Sequence, residues 1–437
     1  MRKMKKATTF LAVAGLVVSM TGCGGNAEKP SSDTTEKQDT TEESGQEEEK
    51  GADGEVELSV LVVFDPETGS PWKLDSFQEA ADKLGYKVNV ERTDDETYKT
   101  KVRVMLQANE LPDLFYTWGG SYSTPFIDAG ALYPLEDTIE ASGYELEEVY
   151  KQTSEDGHIF TVPTGALETY SMYYNKDVFE QLGKEVPTNW EELLDVVEAC
   201  NEQGIGAIGL GNKDRWEGDL FYNMLVLRED AEAFSNAVNG KESFTGEAFK
   251  AAAEKVQTLV DMNAFQSGYM QATQSECSEL LKAGKIAMYP TGSWQVSVFK
   301  NEPNLGCAVF PKTGEEDPYL SCCGNAADSG MAVNAKSENA EAAAKLAVEY
   351  SKILNDHLAE EGEQSYFATD VQTGEQPEMV KNYIADFEKL QKTQLWWFTY
   401  LDTSIGEPMR DLSHQQFAGE ISPDDFVKEL DHIIGEK

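Results

Sequence analysis

Seventy-nine carboxylates and four histidines bound the chemistry open to this chain of 437 residues. His158, His357, His414 and His432 are too scattered to build a histidine-based metal site or proton shuttle. With so many acids some pair must lie close, and glycoside hydrolysis needs two carboxyls about 5–10 Å apart, but no spacing singles a pair out. The sequence contains no GxSxG elbow, no P-loop and no HExxH. Gly204-Ile-Gly206-Ala-Ile-Gly209 does spell GxGxxG. A nucleotide fingerprint requires a strand before those glycines and a helix after them, so that phosphate meets a helix N-terminus. Here a helical pattern precedes and Ala207–Leu210 reads as a strand, so no nucleotide site is expected. Beyond Cys23, the cysteines Cys200, Cys277, Cys307, Cys322 and Cys323 form no CxxC, and their odd number forbids complete pairing. They read as small buried thiols, although the Cys322-Cys323 neighbours could also take a soft metal or form a strained bridge. No cofactor is expected.

The aromatic residues say more than the titratable ones. Trp118, Trp216 and Trp294 each follow a short apolar run, and ligands of open α/β sheets bind beyond the carboxyl ends of strands. An indole matches the C–H face of a sugar ring, whose hydroxyl rim suits Asp, Glu, Asn and backbone groups. The bland reading is that each packs beneath a loop; Trp72 and Trp190, on helix faces, lean that way.

The elements that would position these residues are legible. Val56, Leu58 and Val60 alternate before Leu61-Val62-Val63-Phe64, as in a strand entering a covered sheet. Trp72 to Leu84 has helical spacing, Lys87–Val90 is a second strand, and Leu114–Tyr116 a third after a helix near 97–108. This βαβαβ opening predicts an α/β fold. Thr188 is expected to cap a helix, with Glu191 reaching back, and Ser422-Pro423 opens the last helix over Phe426, Val427, Leu430, Ile433 and Ile434.

The N-terminus reads as an address. Four basic residues precede the apolar run Ala7–Met20, too short to span a bilayer, which needs about 20 residues. Met20-Thr21-Gly22-Cys23 resembles the lipobox of bacterial lipoproteins, which implies a lipidated Cys23 after removal of residues 1–22, with two acyl chains for stable anchoring. Residues 24–54 carry ten acids and three lysines and no apolar content to bury, so 23–54 reads as a disordered acidic tether. The formal charge of −43 excludes nucleic acid, for lack of cations to displace phosphate counterions, and disfavours polyanionic ligands.

Residues 55–437 resemble the carbohydrate-type extracellular solute-binding proteins of ABC importers, the group containing maltose-, raffinose- and multiple-sugar-binding proteins. The resemblance rests on Gly157-His-Ile-Phe-Thr-Val-Pro163 followed by Ser171-Met-Tyr-Tyr174-Asn175-Lys176-Asp177, on Pro187-Thr-Asn-Trp190-Glu191, on Ala283-Gly-Lys-Ile-Ala287-Met288 with Gly292-Ser-Trp294, on Leu111-Pro112-Asp113-Leu114, and on Phe417-Ala-Gly419-Glu420-Ile-Ser-Pro423. It implies a two-lobe, periplasmic-binding-protein-like α/β fold with a hinge and an interlobe ligand cleft. The lobes would be 55–166 with 329–390, and 167–328 with 391–437. The site residues it implies are Glu168 as a sugar-binding acid, Trp294 as the stacking indole, and Trp118 or Tyr116 after the third strand. Asp214 and Trp216 would line the cleft, joined by Trp397, Asp402 and Asp65. The implied protein is a monomer without enzymatic activity on the outer face of a cytoplasmic membrane, in a Gram-positive-type cell. It touches the membrane only through its lipid, captures an oligosaccharide and hands it to importer permease subunits. The reading from another class is a surface glycoside hydrolase using the same aromatic platform.

Overall fold

Alternation explains the first strand. In the computed structural model, which describes residues 56–64, 71–147, 150–151, 157–314, 321–324, 329–361, 363–371 and 374–435, β1 (Glu57–Val63) leaves Glu57 and Ser59 exposed and is covered on both faces from Val60 on. Leu58, Val60 and Val62 pack on one side with Phe77, Leu114 and Leu346, while Leu61 packs on the other with Tyr98, Phe115 and Ala332. A strand covered twice needs the continuous apolar run that the sequence shows.

β1 pairs in parallel with β2 (Lys87–Thr93) and β3 (Leu114–Thr117). The five-stranded sheet is completed by β4 (Thr161–Val162) and a later strand, Gly330–Val333, antiparallel to both β3 and β4. The second sheet takes β5 (Tyr170–Asn175), β6 (Gly206–Ile208), β7 (Ile286–Gly292) and β8 (Leu305–Ala308) in the order β6-β7-β5-β8. β9 (Ser321–Gly324), β10 (Gly330–Val333, the strand just described) and β11 (Lys392–Leu395) close the set, β9 and β11 forming a parallel two-stranded ribbon. Each main sheet carries its own core, so the α/β fold expected from the opening is the one observed.

The chain leaves the first sheet after β4, enters the second at β5, and returns between β9 and β10. The third crossing differs from the one expected near Leu390. Tyr366 and Phe367 still pack with the first sheet, whereas Met379, Val380 and Tyr383 of helix Glu378–Phe387 pack with Tyr173, Phe299 and Leu305 of the second body. Apolar spacing announces such a helix but not which core takes it.

Two local details also shift. The helix Trp190–Gln203 is capped by Asn189, whose side chain accepts from the Glu192 N–H at 3.0 Å, and Glu192, not Glu191, receives the Thr188 N–H. Helix Trp216–Glu229 is buried from Glu217 to Arg228, the pattern of a helix surrounded by protein. It carries Glu217, Asp219, Asn223 and Arg228 inside. The glycines of GxGxxG end one helix, with Gly204 left-handed at its C-cap, and begin β6, so no helix N-terminus faces them. The segments expected to be signal and tether, together with Cys23 and Asp65, lie outside the described residues. Among the described residues no helix is long and apolar enough to cross a membrane, and no group of three metal-ligating side chains occurs.

Candidate ligand-binding cleft

A cleft of 610 Å³ is lined by residues of both sheets' bodies, within the range of small-molecule sites. Tyr116, Trp118, Glu168, Asp214, Trp216 and Trp294, six of the residues singled out in the sequence, all line it.

The three tryptophans arrive there for the same reason: each lies just past a strand's carboxyl end or the turn that follows it. Trp118 leaves β3 and is held by three tyrosines. Its ring centroid is 5.5 Å from that of Tyr98, 5.1 Å from Tyr116 and 5.3 Å from Tyr122. The Lys99 ammonium stands 5.1 Å from the indole centroid, a cation–π distance. The Tyr98 hydroxyl donates to the Tyr116 carbonyl at 2.7 Å and accepts from the Tyr116 N–H, which fixes the end of the strand. Trp216 opens its buried helix and packs on Trp294, centroids 5.7 Å apart and rings tilted by 60°.

Glu168 and Trp294 sit on adjacent segments. The Thr169 N–H donates to Ser293 Oγ at 3.0 Å and the Ser293 N–H returns to the Thr169 carbonyl at 2.7 Å. The acid and the indole therefore belong to the same wall of the cleft. Gly292 makes room for the indole, since a Cβ there would overlap the ring of Trp294.

Burial raises Asp214 from its ordinary value, with Glu96 nearby pushing the same way. Burial likewise raises Tyr116, assisted by the charge of Glu168. For Glu96 burial acts upward, but the Lys99 and Arg410 charges prevail and hold it low. The cleft is thus a mosaic of opposed charges rather than a field of one sign.

Two expected residues stand elsewhere. Trp397 has no exposed surface, stacks on Phe234 with centroids 4.6 Å apart, and belongs to the second core; its neighbour Trp396, buried in the same core, is the one that also lines the cleft. Asp402 caps helix Thr403–Phe417, accepting from the Ser404 N–H at 2.8 Å, and does not line the cleft. Sequence reasoning missed Tyr122, Phe398, Lys99 and Arg410, which also line it. Tyr122 lies in a Gly/Ser-rich turn after Trp118, and that proximity was the available signal.

Behind the cleft, Glu217 ties the loop carrying Asp214 to β7, the strand leading to Trp294. Its carboxylate accepts from the Gly211 N–H at 2.5 Å, from Thr291 Oγ1 at 3.2 Å and from the Tyr289 hydroxyl. Burial pushes Glu217 up to about 7, and Asp219, two residues on, also to about 7. Both acids are raised by folding, so their contribution is complete below their ordinary values of 4.5 and 3.8 and is lost as pH rises through about 7. At about 1.4 kcal/mol per unit, Glu217 alone removes about 3 kcal/mol between pH 4.5 and 8. Unfolding free energy should decline over that interval, and Glu217→Gln should flatten the decline. A wild-type profile that rises from pH 5 to 8, or a variant of equal slope, contradicts this origin.

The model of the family described as bacterial extracellular solute-binding protein matches residues 73–352. An uncharacterized ABC transporter extracellular-binding protein of Pyrococcus horikoshii is 23% identical over 314 residues, covering 69% of this chain and 68% of that protein. The multiple sugar-binding protein of Streptococcus mutans is 23% identical over 43% of this chain and 46% of its own. Among solved structures, one connected with xylan utilisation by the thermophilic bacterium Caldanaerobius polysaccharolyticus superposes with a TM-score of 0.78 at 27% identity, covering 86% of this chain and 99% of that one. A chitin oligosaccharide binding protein also gives 0.78, at 18% identity over 87% and 98% of the two chains, a likeness of fold. With two main sheets, each with a core of its own, and a cleft lined by residues from both, the chain belongs to the bacterial extracellular solute-binding protein family.

Proposed function

We propose that the protein captures an oligosaccharide in this cleft without transforming it and delivers it to the permease subunits of an ABC importer. The carrying observation is the convergence of Trp118, Trp216 and Trp294 with Glu168 and Asp214 around 610 Å³, indoles for ring faces beside carboxylates for hydroxyls. The relatives and neighbours whose names include sugars support the same class of ligand. Cys23 would carry the lipid that anchors a monomer outside the cytoplasmic membrane, with 24–54 as its tether; labelling the chain with a fatty-acid analogue, and its loss in Cys23→Ser, tests that part.

The two lobes would divide at 162–170, at 324–330 and between Phe367 and Glu378. Closing the cleft brings both walls onto the ligand, so binding shifts the population toward the closed form. A thermal-shift panel of mono- and oligosaccharides, paired with small-angle scattering, tests the whole reading. A sugar at a hundred times its Kd stabilises by about 2.7 kcal/mol, and the radius of gyration should fall at saturation. No stabilising sugar anywhere in the panel would defeat the binding reading. Shortening of an added oligosaccharide would favour a hydrolase.

A further inference from the structure

Arg410 is a buried cation on the cleft wall with donors unmet. It lies inside helix Thr403–Phe417, is 1% exposed, and lines the cleft. Nη2 donates to the Tyr122 hydroxyl at 3.1 Å, and the guanidinium carbon stands 4.4 Å from the centroid of the Phe398 ring. Nη1 has Glu407 at 3.5 Å and Glu96 at 4.0 Å, within ion-pair range but without a hydrogen bond. Nε and Nη1 have no hydrogen-bond partner among the described residues and almost no accessible surface, so a ligand meets them only once the side chains over them, Phe398 among them, move aside.

A guanidinium offers five donors and no acceptor. Burying charged donors unpaired is among the costlier things a fold can do, and here the cost is met if a ligand supplies the acceptors. The surroundings define that ligand. Tyr122 and Phe398 present aromatic faces, so the group that enters needs an apolar face with oxygens along its edge. The charges narrow it further. Glu96, Glu407 and Asp219 lie around Arg410, and the two neighbouring cations are already held, Lys99 by Asp95 and Glu96 and Arg215 by Glu407 and Asp411, so acids outnumber cations there. A ligand carboxylate would add to that excess of acids, whereas a hydroxyl or ring oxygen accepts from Nε and Nη1 without adding charge.

We propose that Arg410 reads the bound sugar: Nε and Nη1 donate to oxygens of a neutral pyranoside lying against Tyr122 and Phe398, and the acids around Arg410 select against uronic-acid sugars. This rests on the sugar-binding reading above and adds to it a residue and a charge preference.

The test is calorimetric titration of the full body with neutral probes (xylotriose, chitotriose and galactose) and with xylotriose bearing a glucuronic acid. The wild type should bind at least one neutral probe and bind the glucuronate-bearing sugar at least tenfold more weakly than its neutral parent. Arg410→Gln should lose at least tenfold in affinity for the neutral probe, and Arg410→Lys should recover part of the loss. Glu407→Gln, which removes one surrounding charge, should narrow the neutral preference. Melting of each ligand-free variant shows that it is folded; if Arg410→Gln is not, Arg410→Lys decides. Folded Arg410 variants that bind like the wild type, or a wild type preferring the acidic sugar, overturn the assignment. If no probe of any kind binds the wild type, the sugar reading falls and takes this assignment with it, an outcome distinct from normal binding by the variants.

Discussion

Trp294→Ala is expected to weaken oligosaccharide binding by tens of fold while the melting temperature of the ligand-free protein barely moves. The indole is partly buried, lines the cleft, and has Trp216 as its principal ring neighbour. Truncation therefore opens space continuous with solvent rather than a sealed cavity. A micromolar affinity corresponds to about −8 kcal/mol, and losing a central aromatic anchor commonly costs at least about 2 kcal/mol, roughly thirtyfold. A core tryptophan behaves oppositely, costing about 3–5 kcal/mol of stability. Calorimetry and a thermal melt on the same preparation separate the two. Gly292→Ala offers a second route to the same residue, because the added methyl must push the indole aside while leaving it in the chain. Normal affinity in a destabilised Trp294→Ala would make this tryptophan a packing residue.

What was legible in the sequence was whatever is written in local pattern. β1 announced itself as an alternation that becomes an unbroken apolar run where its second face is covered, and Gly204 and Gly206 were rejected as a phosphate loop from their neighbours alone. Trp118, Trp216 and Trp294 could be grouped because strand ends converge in an open sheet. What was illegible depends on which face of a short or buried element looks where. Trp396 and Trp397 adjoin in sequence and share one core, yet only Trp396 also lines the cleft, a difference that nothing in the local pattern announces. Asp219 and Arg410 are charged residues inside helices, a pattern that normally means a solvated face. Asp219 is buried because its helix is covered on every side, whereas the helix of Arg410 keeps an exposed stripe at Ser404, Pro408, Asp411 and Gln415 and turns Arg410 to its covered face. Helix Glu378–Phe387 has one apolar stripe that fits either core, so its assignment needed tertiary structure.

The sharpest consequence concerns the tryptophan that the sequence had assigned to the ligand. Trp397→Ala should cost about 3–5 kcal/mol of stability and leave the affinity of the folded fraction unchanged. The side chain has no exposed surface. It stacks face to face on Phe234 at 4.6 Å and 8°, meets Tyr222 edge-on at 5.6 Å, and leans on Phe249 at 5.8 Å. Its backbone N–H donates to Asn223 Oδ1 at 3.0 Å, which pins the short helix to the buried one. Removing the indole leaves a sealed apolar cavity with no solvent to fill it. Whole domains hold only about 5–15 kcal/mol, so such a loss consumes a large share and should show as a lower urea midpoint with little change in slope. Trp397→Phe should cost far less, because it keeps the stack on Phe234 and removes an indole N–H that has no hydrogen-bond partner among the described residues. Titration must be done below the lowered melting point and scaled to the folded fraction. A Trp397→Ala protein that melts normally yet binds sugar tens of fold more weakly would return this residue to the ligand and place the cleft wall one residue further along the chain.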